Sequence, residues 1–70
     1  MSTYIINTNP TTWGAENQAD ADRCAAIVAR RAAELFPDVT FVVGTSANDG
    51  MDVIDQAIDT NWPDWVNADW

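Results

Sequence analysis

Asp49, Asp52, Asp55 and Asp59 recur at steps of three, three and four. At about 100° per residue that spacing gathers four carboxylates on one face of a helix. Such a face offers three kinds of chemistry: holding a hard cation, general acid–base catalysis, or imitating the charge of a phosphate backbone. Calcium fails the pattern. With Gly50 at the sixth position of an EF-hand loop, Thr45 falls first, Ala47 third and Gln56 twelfth, and the bidentate acid is lost. Acid–base work needs a pocket that raises one carboxyl pKa, and no segment here points to one. Mimicry fits better. Asp49 to Asp59 covers about 15 Å of helix at about 1.5 Å per residue, comparable in charge density with one DNA strand, which carries a phosphate every ~3.4 Å.

The plainer reading of this row is a solvated helix surface opposite an apolar stripe. Two features weigh against it. Aspartate is a poorer helix former than glutamate, so its repeated use has a cost that solubility does not require. No lysine is interleaved to form i,i+4 pairs, so the like charges stand unrelieved.

Other chemistry is excluded by what is missing. The chain has no histidine, which removes Ser-His and Cys-His nucleophiles. It has no phosphate-binding loop, dinucleotide fingerprint or lysine, and too few Cys and His for zinc. Cys24 falls on an apolar helical stripe, where a packed, inert thiol is expected. The expectation is a protein that is not an enzyme and needs no cofactor or metal. The remaining group with chemical character is Trp13, Trp62, Trp65 and Trp70. Trp13 and Trp62 read as core filling. Trp65 and Trp70 lie in the last six residues, beside Asp64 and Asp69, where full burial is harder to arrange. Exposed tryptophan is typical of interface hot spots and meets arginine by cation–π contact.

Composition supports a binding role. Eleven acids face three arginines, for a net charge of −8 on 70 residues. A body so charged repels nucleic acid and anionic lipid and attracts basic surfaces. Apolar residues at 47% suffice for one small core, so a single domain over residues 1–70 is expected. A lone cysteine forms no internal disulfide and fits a reducing compartment. The opening Met1-Ser2-Thr3-Tyr4-Ile5-Ile6 has neither a basic region nor a long apolar run. A soluble cytoplasmic protein is expected.

These residues need elements to hold them. Tyr4-Ile5-Ile6-Asn7 reads as a first strand, broken by the turn-rich Asn7-Thr8-Asn9-Pro10-Thr11-Thr12 and then Trp13-Gly14. A helix should start at Asn17, with Asp20 at capping-box spacing and Glu16, Asp20 and Asp22 near its positive end. Its core stripe is Ala21, Cys24, Ala25, Val28, Ala32, Leu35 and Phe36, ended by Pro37. Val39-Thr40-Phe41-Val42-Val43 is the second strand. A second helix should run from about Asn48 to Asp59, capped through Ser46 and Asp49, with Val53, Ile54, Ala57 and Ile58 inward and Gly50 weakening its start. The tail from Trp62 to Trp70 is either a short helical turn capped by Asn61 or an extended edge. The fold class is therefore α+β: strand, helix, strand, helix, with a short two- or three-stranded sheet packed on two helices. A parallel strand pair is permitted, and strand order stays open.

An opening strand, the run Asn7 to Gly14, an alanine-rich helix and an acidic C-terminal half together resemble the small anti-CRISPR proteins of phages. The similarity is nearest to inhibitors of type I systems, type I-C among them, and covers the general run of the whole chain. It implies a DNA mimic that binds a type I CRISPR surveillance complex (Cascade) and blocks recruitment of target DNA. The residues expected to face the partner's lysines and arginines are Asp49, Asp52, Asp55, Asp59, Asp64 and Asp69, with Trp65 and Trp70. Helical spacing assigns Asp49, Asp52, Asp55, Asp59 and Asp64, and a place in the aromatic tail assigns Asp69, Trp65 and Trp70. The partner is then a basic nucleic-acid-binding protein, with neither nucleic acid nor membrane bound directly. Other targets with the same chemistry are a restriction enzyme, a nucleoid protein or a repair enzyme. A different class is an antitoxin-like module that binds through Trp65, Trp70 and an exposed helix face.

Overall fold

The computed structural model describes residues 2–46, 48 and 50–70. Asp49, the expected head of the acidic row, lies outside the described residues, as does the capping role given to it. The element order is β1 (Ser2–Asn7), α1 (Pro10–Trp13), α2 (Gln18–Leu35), β2 (Val39–Gly44) and α3 (Asp52–Asp69). β1 and β2 pair in parallel, Tyr4 opposite Phe41 and Ile6 opposite Val43, with α2 as the connection. This is a small α+β domain with a two-stranded sheet among the described residues.

The turn-rich run after β1 closes into one helical turn. Asn9 caps it by accepting from the Thr11 N–H at 3.0 Å, Pro10 takes the first helical position, and Gly14 ends it at φ 64°. That is the arrangement in which a proline's missing donor and a glycine's left-handed backbone cost least. α2 begins as expected, with the Asn17 side chain accepting from the Asp20 N–H at 2.9 Å. It ends as expected too, because Pro37 holds Phe36 out of helical geometry.

The core joins Tyr4 and Ile6 of β1, Trp13, the Ala21–Cys24–Ala25–Val28–Ala32 stripe of α2, and Ile54 and Ile58 of α3. Alanines on α2 let the other layers approach closely. They also keep the core small, and Ile6 and Val28 are the largest side chains buried completely. Ile27, one step round from the stripe, is buried as well. Leu35 departs from expectation: at the last residue of α2 it is 54% exposed and stands outside the cluster. With a core this light, single polar contacts worth about 1 kcal/mol matter against a net stability of roughly 5–15 kcal/mol.

Two such contacts pin the sheet. The Asn48 side chain accepts from the Ile5 N–H at 2.6 Å and donates to the Ile5 carbonyl at 2.8 Å. It thereby serves as a neighbouring strand on the β1 edge that faces away from β2, where unpaired backbone would invite association. The Trp13 indole N–H donates to the Asn7 carbonyl at 2.6 Å and fixes α1 to the end of the same strand.

The second helix departs most from expectation. It starts four residues later than Asn48 and continues through the tail to Asp69. Asn48 is occupied by Ile5, and Met51 takes the cap position with no side-chain hydrogen bond. Gly50 precedes the helix at φ 70°, a conformation that favours glycine, and so does not weaken the helix interior. Val53 is 73% exposed because a 100° step carries it off the Ile54–Ile58 stripe. Pro63 sits inside the helix and leaves the Asp59 carbonyl without its usual donor, a loss of about 3 kcal/mol in a helix interior. Burial of Ile54 and Ile58, with Trp62, Trp65 and Val66 packed against the core on either side of Pro63, outweighs that loss. Pro63 is itself exposed, which puts the missing hydrogen bond on the solvent side. Asn61 is no cap here; its amide donates to the Ala57 carbonyl one turn back at 2.8 Å.

Cys24 is buried and free. Burial, with the Asp20 charge second, pushes its thiol pKa up. Thiol reagents should label the native protein no faster than its opening allows, and Cys24→Ala should fold with a modest loss of packing. Labelling at the rate of an unfolded control would contradict this placement.

Candidate partner-binding surface

Asp52, Asp55 and Asp59 are all exposed on α3. Their helical phases fall within about 60° of one another, so the row forms as the spacing predicts. Asp52 and Asp55 lie in the first turn of α3, where the macrodipole favours negative charge and no side chain caps the backbone. That placement gives two of the three a structural role as well. Asp59 lies beyond the reach of that effect.

Asp55 is not a free-swinging carboxylate. It accepts a hydrogen bond from the phenol of Tyr4, a core residue 6% exposed, fifty-one positions away in sequence. The bond ties the start of α3 to β1 and fixes where the row sits. Burial, then the hydrogen bond to Asp55, then the charges of Asp55 and Asp59 hold the phenol pKa well above its ordinary 10.0. A raised pKa in the folded state favours the neutral phenol. Its stabilising contribution is present below pH 10.0 and is lost as pH rises through the folded value. Because Tyr4 is the single tyrosine of the chain, phenolate absorbance reports it alone. Titration should begin only well above pH 10.0, together with loss of structure, and Asp55→Asn should lower its onset.

The remaining acids of the expected site separate from the row. Asp64 is exposed, but its helical phase is about 140° from Asp59, on another side of α3. Asp69 is occupied within the molecule. Its carboxylate accepts from Arg31 Nε at 2.8 Å and Nη2 at 2.5 Å, and from Arg30 Nη2 at 2.5 Å. The Arg31 bonds first, then the Arg30 bond, hold its carboxyl far below the usual range. With a depressed folded pKa, that clamp persists above the ordinary 3.8 and fails as pH falls through the lower folded value. Trp65 is half-buried and packs against the core, while Trp70 is 47% exposed with the Arg23 guanidinium 4.3 Å above its ring.

All three arginines are thus engaged by Asp69 or Trp70, residues at the far end of α3. Among the described residues, no ion pair reaches Asp52, Asp55 or Asp59. The arginines gather at the C-terminal end of α3, while Asp52, Asp55 and Asp59 stand bare in its N-terminal half.

Beside the row lies a cleft of about 220 Å³ lined by Tyr4, Asn48, Trp13, Ile58, Asp59 and Trp62, among others. Its aromatic wall is the Trp13–Trp62 pair, edge to face at 5.1 Å between centroids and 74° between planes. Sequence reasoning assigned this pair to the core and missed that it borders the acidic surface. Tyr4 and Asn48 were missed as well. Nothing local marks either, since each acts on a residue more than forty positions away.

Among the described residues, no group of His, Cys, Asp or Glu gathers in a metal-binding arrangement, and no helix is long and apolar enough to cross a membrane. In comparisons with known proteins, no family model, no curated protein and no solved structure matches this chain.

Proposed function

We propose that this chain is a non-enzymatic inhibitor that mimics DNA and occupies the nucleic-acid-binding surface of a basic protein. The observation that carries this reading is the exposed Asp52–Asp55–Asp59 row, unpaired by any described cation while every arginine is engaged elsewhere. A surface meant only for solubility gains from mixed charges, which screen one another. Segregated charge instead presents a strong field to a basic groove and speeds association with it. The row is also held rigidly, through Ile54 and Ile58 below it and Tyr4 on Asp55, so few degrees of freedom are lost on binding.

The resemblance to small phage anti-CRISPR proteins makes the DNA-binding site of a type I surveillance complex the first target to test. Purified complex, labelled target duplex and this protein should compete for one site. Inhibition should weaken steeply as salt rises, because several ion pairs form at once. Binding that ignores both salt and DNA would instead favour an apolar, antitoxin-like interface. Competition with DNA on a restriction enzyme or nucleoid protein, but not on the surveillance complex, would keep the mimicry and change the target.

A further inference from the structure

A second groove of about 490 Å³ runs between α1, α2 and the C-terminal half of α3. Trp13, Trp62 and Trp70 form its aromatic surface, and Glu16 and Asp20 supply two carboxylates. Neither acid is in an ion pair among the described residues. It shares Trp13 and Trp62 with the cleft that Asp59 lines.

We infer that this groove takes the guanidinium of an arginine side chain presented by the basic partner. The inference rests on the proposed function, and it names the group that the aromatic half of the surface recognises. Aromatic faces carry negative potential and attract cations, and carboxylates beside them add directed hydrogen-bond acceptors. A phosphate backbone would be repelled by Glu16 and Asp20. A purely apolar occupant would strip water from both carboxylates and return no partner to them. Arginine suits the combination better than lysine, because its flat guanidinium stacks on a ring and bonds a carboxylate at the same time. The molecule already makes half of this contact: the Arg23 guanidinium lies 4.3 Å over the Trp70 ring. Arg23 does not line the groove, so this contact shows that the Trp70 ring accepts a guanidinium without filling the groove itself.

The probe is an acetylated, amidated Arg-Gly-Arg peptide, with Lys-Gly-Lys and citrulline-Gly-citrulline versions beside it. Indole N–H resonances of the labelled protein report binding at millimolar peptide. The arginine peptide should shift the Trp62 and Trp70 signals saturably, the lysine peptide should bind several-fold more weakly, and the citrulline peptide should not bind. Glu16→Gln with Asp20→Asn should weaken the arginine peptide about fivefold or more, as expected for loss of two exposed charge contacts. Equal shifts from the citrulline peptide, or unchanged affinity in the Glu16/Asp20 variant, would overturn the inference. The variant with Asp52, Asp55 and Asp59 all changed to asparagine separates this from the function proposed above. If it alone abolishes peptide binding, the groove assignment fails and the row is the cation site. If it keeps peptide binding while the wild type fails to compete with DNA, the groove stands and mimicry fails.

Discussion

Changing Asp52, Asp55 and Asp59 together to asparagine is expected to weaken binding to the DNA-handling partner by roughly 10- to 100-fold. Three solvent-facing ion pairs at about 0.2–1 kcal/mol each sum to about 0.6–3 kcal/mol, and exclusion of water at the interface favours the upper part of that span. The residual affinity should also depend less on salt, since fewer charges are matched. The fold should change little, because two effects oppose each other. Neutralising Asp52 and Asp55 removes charge from the first turn of an uncapped helix, a loss of about 0.3–1 kcal/mol each. Relief of like-charge repulsion along the same face returns part of that. In Asp55→Asn the side-chain amide still presents an oxygen to the Tyr4 phenol, so the tie between α3 and β1 keeps an acceptor. Asp64→Asn is the internal control: its position about 140° round the helix predicts a much smaller effect. Unchanged inhibition by the triple variant, with a normal thermal melt, would reduce the row to a solvated surface.

How far the sequence foretold this surface depends on the range of the forces involved. The capped start of α2, its alanine stripe and its end at Pro37 were legible, because caps, periodicity and proline sterics act within a few residues. The phase of the acidic row was legible for the same reason. The single turn of α1 was written in Asn9, Pro10 and Gly14, yet those residue types also describe a plain turn. What stayed hidden was long-range. Pro63 and Asn61 argue locally for a break, and only the packing of Trp62, Trp65 and Val66 against the core carries α3 through. Asn48 fits a helix cap by type and spacing, but the free edge of β1 claims its side chain. Asp69 looked available until the fold brought Arg30 and Arg31 to it from α2.

That continuous α3 changes what the tryptophans are expected to do, and substitution to alanine should rank them. Trp13→Ala is the most damaging. It removes a 9%-exposed indole, its bond to the Asn7 carbonyl and the edge-to-face partner of Trp62 together. Loss of a buried tryptophan takes about 3–5 kcal/mol, a large share of what a domain of this size holds, so much of the variant should be unfolded at physiological temperature. Trp65→Ala comes second. From its place near the chain's end, Trp65 reads as an interface anchor whose loss weakens binding more than folding. Half-buried against the core in the last part of α3, it should instead lower stability first, by about 1–3 kcal/mol and on the order of 10 °C in melting temperature. Trp70→Ala should fold almost normally, because its ring is half exposed and its contact with Arg23 contributes only about 0.5–1 kcal/mol. Thermal melts followed by near-ultraviolet circular dichroism read the order directly. A Trp65 variant that melts like the wild type but loses partner binding would return Trp65 to the interface. A Trp70 variant less stable than the Trp65 variant would contradict the placement of the α3 C-terminus against α2.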